Sequence, residues 1–282
     1  MKKIRTAIQI SLSLTACLWL QSCSQPQEVT APPPPTASAN AKKITLSGSH
    51  TVGSILSEIA KPYEARHPGV KIEVKESASW RGIADVRQGT ADIGMVAREM
   101  KADEKDLLAF AIAKDGISIT IHSDNPVKSL TDQEIIGIYT GKIKNWQEVG
   151  GGNAPILVIN RGEGVAALEP FLTYFKLEKS AIRADVVVTE TEELVQAMAG
   201  KPQAIGFSSI GVVDSIKEIK ILPINGVAPT NENVSSGKFP LTRPLNLVTK
   251  TPPSDLVKEF IDFSLSPEAQ AIVKQKKFAP VK

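Results

Sequence analysis

The chain has 282 residues, 33 basic and 30 acidic side chains, and a formal charge of +3. Lys2, Lys3 and Arg5 supply that surplus within the first 23 residues, which hold no acid, so residues 24–282 balance at 30 against 30. A neutral body has no overall field to draw in nucleic acid or an anionic membrane, and any affinity for anions must be local.

The basic start is followed by a mostly apolar run over residues 6–20. That is the pattern of a secretory signal peptide, and it is shorter than the roughly 20 residues of a comfortable membrane span. Leu20-Gln21-Ser22-Cys23 resembles a lipobox after a full-length apolar region, which predicts a lipid on Cys23. Leu14-Thr15-Ala16-Cys17 matches better in its small residues but shortens the apolar region and leaves Trp19 in the tether, so Cys17 is the alternative. Ordinary cleavage without a lipid is the remaining reading. The rest of the chain has no cysteine, so disulfides contribute nothing to stability. Residues 1–23 are therefore read as a lipoprotein signal peptide. The segment 24–42, rich in Pro, Ala, Ser and Thr, is read as an extended tether. The mature protein is expected outside the cytoplasm, in the periplasm or on the cell surface, anchored by its N-terminal lipid.

About 240 residues follow, enough for one large core or two smaller ones. Ile44-Thr45-Leu46 reads as a strand. Val52, Ile55, Leu56, Ile59, Ala60 and Tyr63 then fall on one face of a helix. Val70, Ile72 and Val74 alternate as a strand, Ile83 and Val86 mark a short helix, and Ala91–Val96 is a buried strand. Ile117, Ile119 and Ile121 alternate again. Thr131 with Glu134 is a capping box opening the helix that carries Ile135, Ile136 and Tyr139. Ile156–Ile159 is a strand, and Leu168, Phe171, Leu172 and Phe175 form the next helical face. Thr189 with Glu192 repeats the capping-box signal before Leu194, Ala197 and Met198, and Gly200 stops that helix. Ala204–Phe207 is a strand, and Ser254 and Pro267 open two C-terminal helices. Strand–helix alternation of this length predicts an α/β fold with mainly parallel sheets, whose ligands bind where strands lead into helix N-termini.

Three such junctions stand out. In Ser47-Gly48-Ser49-His50-Thr51, Gly48 lets the backbone approach a ligand, and Ser49 and Thr51 place hydroxyls beside free helix N–H groups. The competing reading is that Ser49 or Thr51 merely caps the helix. In Glu76–Ile83, Ser79 has a hydroxyl and an amide to donate, Trp80 is either a lid or core, and Arg81 is a surface charge. In Ile159–Ala167, Arg161 ends a strand and glycines open a helix. A guanidinium fork there suits the paired oxygens of an oxyanion. Glu163 is either exposed or the partner that holds Arg161.

These stretches resemble the phosphate-binding proteins of ABC importers, in the type-II solute-binding superfamily, across residues 43–282. The resemblance rests on SGSHTV (47–52), ADIGMVAREM (91–100), YTGKIKNWQEVGG (139–151), QAIGFSSIG (203–211) and FIDFSLSPEAQAIV (260–273). It implies two α/β lobes joined by crossing strands, with residues 43–118 and 243–282 in one lobe and 119–242 in the other. The chain would cross near 116–123 and return near 240–249. It also implies phosphate as ligand, ABC permease subunits as partners, no cofactor or metal, and a monomer. The ligand positions fall on Ser49, His50, Thr51, Ser79, Arg98, Arg161, Gly164, Val165 and Ala166. Two departures bear on the ligand. Ala97 stands where the family has Ser, and Val165-Ala166-Ala167 replaces its Ser-Gly-Thr, so three hydroxyls are missing. At about 1.5–3 kcal/mol for each bond to a charged partner, that loss is worth roughly a thousandfold in affinity unless Arg81, His50 or backbone amides compensate. The alternative is the same role for another oxyanion, an organophosphate or a phosphonate.

A hydrolase reading would use Ser49 with the adjacent His50. The chain has no Gly-x-Ser-x-Gly elbow, and His67 and His122 lie in unrelated segments without metal-ligand spacing, so no catalytic residue is expected.

Overall fold

The computed structural model describes residues 42–213, 216–250 and 252–281; Cys17, Cys23, the signal peptide and nearly all of the tether lie outside the described residues. The chain begins with β1 (Lys42–Ser49), α1 (His50–Arg66), β2 (Val70–Ser77), α2 (Ser79–Gln88) and β3 (Ile93–Val96). The long strand β4 (Leu107–His122) follows, then α3 (Asp132–Tyr139), β5 (Leu157–Arg161), α4 (Leu168–Phe175), β6 (Val186–Val188) and α5 (Thr191–Met198). After β7 (Ala204–Ser209) and the short α6 (Ile210–Val213) come β8 (Ile219–Leu222) and α7 (Asn231–Ser235). The chain closes with β9 (Thr242–Lys250), α8 (Asp255–Ser264), α9 (Pro267–Gln275) and β10 (Ala279–Pro280). The fold is α/β, as the alternation predicts.

The strands run β2-β1-β3-β9-β4-β7-β5-β6. The outer pairs, β1 with β2 and β3 and β5 with β6 and β7, are parallel, and the central strands β9 and β4 pair antiparallel. β4 changes partner midway. Its first part, through Gly116, pairs with β9, and from Ile117 onward it pairs with β7 and β8. One long strand therefore belongs to two sheet regions, each with its own apolar filling.

On one side, Leu46, Ile55, Leu56, Ile59 and Tyr63 pack with Leu245, Leu247 and Phe260. On the other, Ile119, Ile121, Tyr139, Trp146, Phe171 and Phe207 share a second cluster. The α1 face proposed from its spacing is the buried one: Val52, Ile55, Leu56, Ile59, Ala60 and Tyr63 are all inside. The capping box at Thr131 and Glu134 is present with both reciprocal bonds. The box proposed at Thr189 and Glu192 sits one residue later. Glu193 accepts the amides of Thr189 and Glu190, while Glu192 is exposed. The physical reason is reach, since the N3 carboxylate folds back onto the residue three before it, and α5 starts at Thr191.

Gly48 requires its missing side chain for packing. It has φ +127°, and a Cβ there would meet the Met95 carbonyl oxygen at 2.3 Å and the Gly82 Cα at 3.1 Å. It lets α2 sit directly on β1 and β3, and it does not face the cavity described next. That corrects the expectation that Gly48 admits a ligand.

Candidate functional site

Three helices start at one place without a capping side chain. The hydroxyl of Ser49, the residue before α1, makes no cap bond. The corresponding residues before α2 and α4 are Ala78 and Ala167, which have nothing to cap with. By contrast, Thr131, Ser254 and Ser266 each accept an amide from the first turn of α3, α8 and α9. The uncapped first turns of α1 and α2 lack side-chain partners for their N–H groups, whereas in α4 the Leu168 N–H donates to the Val165 carbonyl and Pro170 has none; all three carry the positive ends of their helix dipoles. They meet around a cavity of about 340 Å³.

Ser49, His50, Thr51, Ser79, Arg161, Gly164, Val165 and Ala166 all line this cavity. Segments over a hundred residues apart are thus brought together: Ser49 and Thr51 by the end of β1, Ser79 by the end of β2, and Arg161 by the end of β5. Arg161 is almost fully buried, at 4% exposure. Nη1 and Nη2 donate to the carbonyls of Glu190 and Thr189 at 3.2 and 3.3 Å, while Nε has no partner. Burial pulls its pKa below the ordinary arginine value, opposed by the carboxylates of Glu190, Glu193 and Glu192, and an arginine in this setting stays cationic.

The Ser49 hydroxyl is likewise buried and unpartnered. Buried donors left unsatisfied are uncommon and cost about 1–3 kcal/mol each. Here three of them, Arg161 Nε, Ser49 Oγ and Ser77 Oγ, belong to residues that line one cavity, where an anion would offer the missing acceptors. Ser79 Oγ accepts the Ala97 amide at 3.1 Å, which leaves its O–H to donate.

Sequence reasoning missed a second arginine. Arg243, on β9, lines the same cavity and is 3% exposed. Nε and Nη2 donate to Asp115 Oδ2 at 3.0 and 2.7 Å, Nη2 reaches Thr51 Oγ1 at 3.4 Å, and Nη1 donates to the carbonyls of Ala97 and Ala166. Asp115 in turn accepts from Ser209 Oγ at 2.8 Å. Arg243 thus joins α1, β3, β4 and the loop after Arg161. The available signal was the charge itself: an arginine inside the apolar run Leu241–Val248 marks a paired, inward-facing group.

Other expected residues lie elsewhere or are occupied. Arg98 is outside this cavity and lines a neighbouring one. Its Nη1 and Nη2 are held by Glu104 at 2.8 and 2.7 Å, with both side chains buried. A guanidinium locked in that bidentate pair has no fork left to offer a ligand in the main cavity. Arg81 is exposed and pairs with Asp85 at 2.9 Å, which removes it as a substitute donor. His50 sits at the exposed edge of the cavity with Nδ1 3.1 Å from Glu76. Its hydrogen-bond partner is thus Glu76, and Ser49 has none, so no nucleophile–base pair exists here. Glu163 is exposed and pairs with Lys179, leaving Arg161 to the backbone carbonyls. Trp80 is 63% exposed and belongs to no core.

The model of a PBP superfamily domain matches residues 33–268. The phosphate-binding protein PstS of Bacillus subtilis is 29% identical over 243 residues, covering 84% of this chain and 80% of the relative. Among solved structures, a protein assigned as a phosphate ABC transporter substrate-binding protein from Clostridium perfringens, with phosphate bound, is 34% identical. It superposes with a TM-score of 0.77 over 86% of this chain and 100% of its own. An ABC-type phosphate transport receptor from Vibrio cholerae is 31% identical with a TM-score of 0.74, over 84% of this chain and 99% of its own.

Proposed function

Because the chain belongs to the PBP superfamily, we propose that it is an extracytoplasmic solute-binding protein that captures phosphate for an ABC importer. The observation that carries this reading is the set of buried, unpartnered donors, Arg161 Nε, Ser49 Oγ and Ser77 Oγ, at a cavity ringed by three uncapped helix starts. Donors fixed in advance around a pocket bind an oxyanion with little reorganisation. The phosphate-binding names of its relatives support the same ligand.

In this reading residues 43–118 and 243–282 form one lobe and 119–242 the other. Ser49, Thr51 and Ser79 approach the anion from the first, and Arg161 with the amides of Gly164, Ala166 and Ala167 from the second. The missing side-chain hydroxyls at Val165, Ala166 and Ala167 leave backbone amides of that loop as the compensating donors, with Arg243, whose own N–H groups are taken by Asp115, Thr51, Ala97 and Ala166, holding the loop in place. Ligand binds better to the closed arrangement and shifts the equilibrium towards it. Export with a lipid on Cys23 would hold the protein beside its permease. The role is binding without catalysis.

Thermal unfolding of the purified protein against a panel of inorganic anions tests the proposal. Phosphate raises Tm and compacts the molecule in solution scattering. Equal shifts with sulfate, nitrate and phosphate, or none with any, would remove phosphate as the ligand.

A further inference from the structure

The main cavity has a neighbour of about 290 Å³. Six residues line both: Ala78, Ser79, Glu163, Gly164, Val165 and Ala166. The two spaces therefore adjoin along a shared boundary, here termed the neck, between the start of α2 and the loop after Arg161. Their chemistry differs. The main cavity holds unpartnered donors, whereas the second is walled by Trp80, Val165, Leu168 and Leu172.

The charges in the second chamber are already matched. Arg98 is held by Glu104, and Glu169 lies 3.5 Å from Arg98 Nε and 3.0 Å from Lys101 Nζ. Two cations face two carboxylates, so a second anionic group gains little there. A compact neutral or apolar group would cover Trp80 and the leucines and gain from removing apolar surface from water. At the neck, the side chains of Val165 and Ala166 donate no hydrogen bond. A charged phosphate oxygen turned towards these side chains, and not towards the loop amides, would lose water with no donor in exchange, which is costly for a desolvated anion. A carbon or ester substituent at that corner of the tetrahedron carries no such loss.

From this arrangement, and resting on the reading of the main cavity as a phosphate site, we propose that the protein also takes monosubstituted phosphates. These are alkyl or aryl phosphonates and phosphate monoesters, with the three terminal oxygens in the main cavity and the organic group through the neck against Trp80 and Leu172. The anionic head is recognised as inorganic phosphate is, and the chamber selects for a small uncharged tail.

The test is calorimetric titration of the purified protein with inorganic phosphate and with phenylphosphonate, in wild type and in Thr173→Trp and Trp80→Ala. Thr173 is exposed and lines only the second chamber, so an indole there fills the chamber without touching the phosphate site. Phenylphosphonate is expected to bind within about tenfold of phosphate. Both substitutions should weaken it by about tenfold or more while leaving phosphate within about twofold. Phosphate binding with no phenylphosphonate heat at ~1 mM would overturn the chamber and leave the phosphate reading standing. Binding of neither ligand would end both. Equal weakening of both ligands by Thr173→Trp would also overturn the proposal, because the chamber would then have no separate role.

Discussion

Arg243 and Asp115 form an ion pair with Nη2 2.7 Å from Oδ2, and their side chains are 2% and 1% exposed. The pair joins β9 to β4 where β4 passes from one sheet region to the other, and it holds the Ala166 carbonyl and Thr51 at the cavity edge. Removing one partner leaves a buried charge uncompensated, which typically costs about 3–5 kcal/mol. Asp115→Asn is therefore expected to lower the unfolding free energy by an amount in that range. Arg243→Lys keeps the charge but not the fork, and should weaken phosphate more than its stability loss suggests, because the loop after Arg161 loses its anchor. Urea titrations with parallel ligand titrations measure both.

Ser49 separates stability from function. Its hydroxyl is buried with no partner, so Ser49→Ala removes an unsatisfied group and should leave stability unchanged or raise it by up to about 1 kcal/mol. The same change removes a donor from the ligand and should weaken phosphate by about tenfold or more. A structural capping serine would behave the other way, with stability lost and binding spared.

Gly48 and Gly69 both have positive φ, but only Gly48 is crowded. A Cβ at Gly48 meets a backbone oxygen at 2.3 Å, while one at Gly69 meets nothing within 4 Å. Gly69→Ala should cost about 1–2 kcal/mol from backbone conformation alone. Gly48→Ala should cost clearly more, because α2 must move off β1 and β3. Comparing the two unfolding midpoints isolates the packing contribution.

Acid should loosen the Arg98 region. The hydrogen bonds from Arg98 hold the Glu104 carboxyl below its ordinary value, against the opposing effect of burial. A depressed pKa stabilises the fold above the unfolded value of about 4.3, and that contribution is lost as pH falls through the folded value. Stability measured at pH ~6 and pH ~3 should drop further in the wild type than in Glu104→Gln, which starts lower and changes less.

Much of this was legible along the chain because it is local. The apolar spacing of α1, the capping box at Thr131, and the small-residue junctions at Ser49, Ser79 and Arg161 each depend on neighbours within one or two turns. Arg243 was not found, because its partners Asp115, Thr51 and Ala166 are 77 or more positions away and only tertiary pairing makes it part of the cavity. Arg98 was misplaced for the opposite reason. Its motif matched, but Glu104, six residues on, captures the guanidinium. Gly48 was read as room for a ligand when the space is filled by Met95 and Gly82. Backbone crowding of that kind leaves no trace in residue type.

The most direct measurement is calorimetric titration of the wild type and Arg161→Ala with inorganic phosphate, with thermal unfolding as the control for folding. The account predicts one saturable site per chain in the wild type, weakened by about thirtyfold or more in the variant, since charge-assisted bonds contribute about 1.5–3 kcal/mol each. A wild type that takes up no phosphate at ~1 mM, or an Arg161→Ala protein that binds it equally well, would contradict the claim that this buried guanidinium grips the anion.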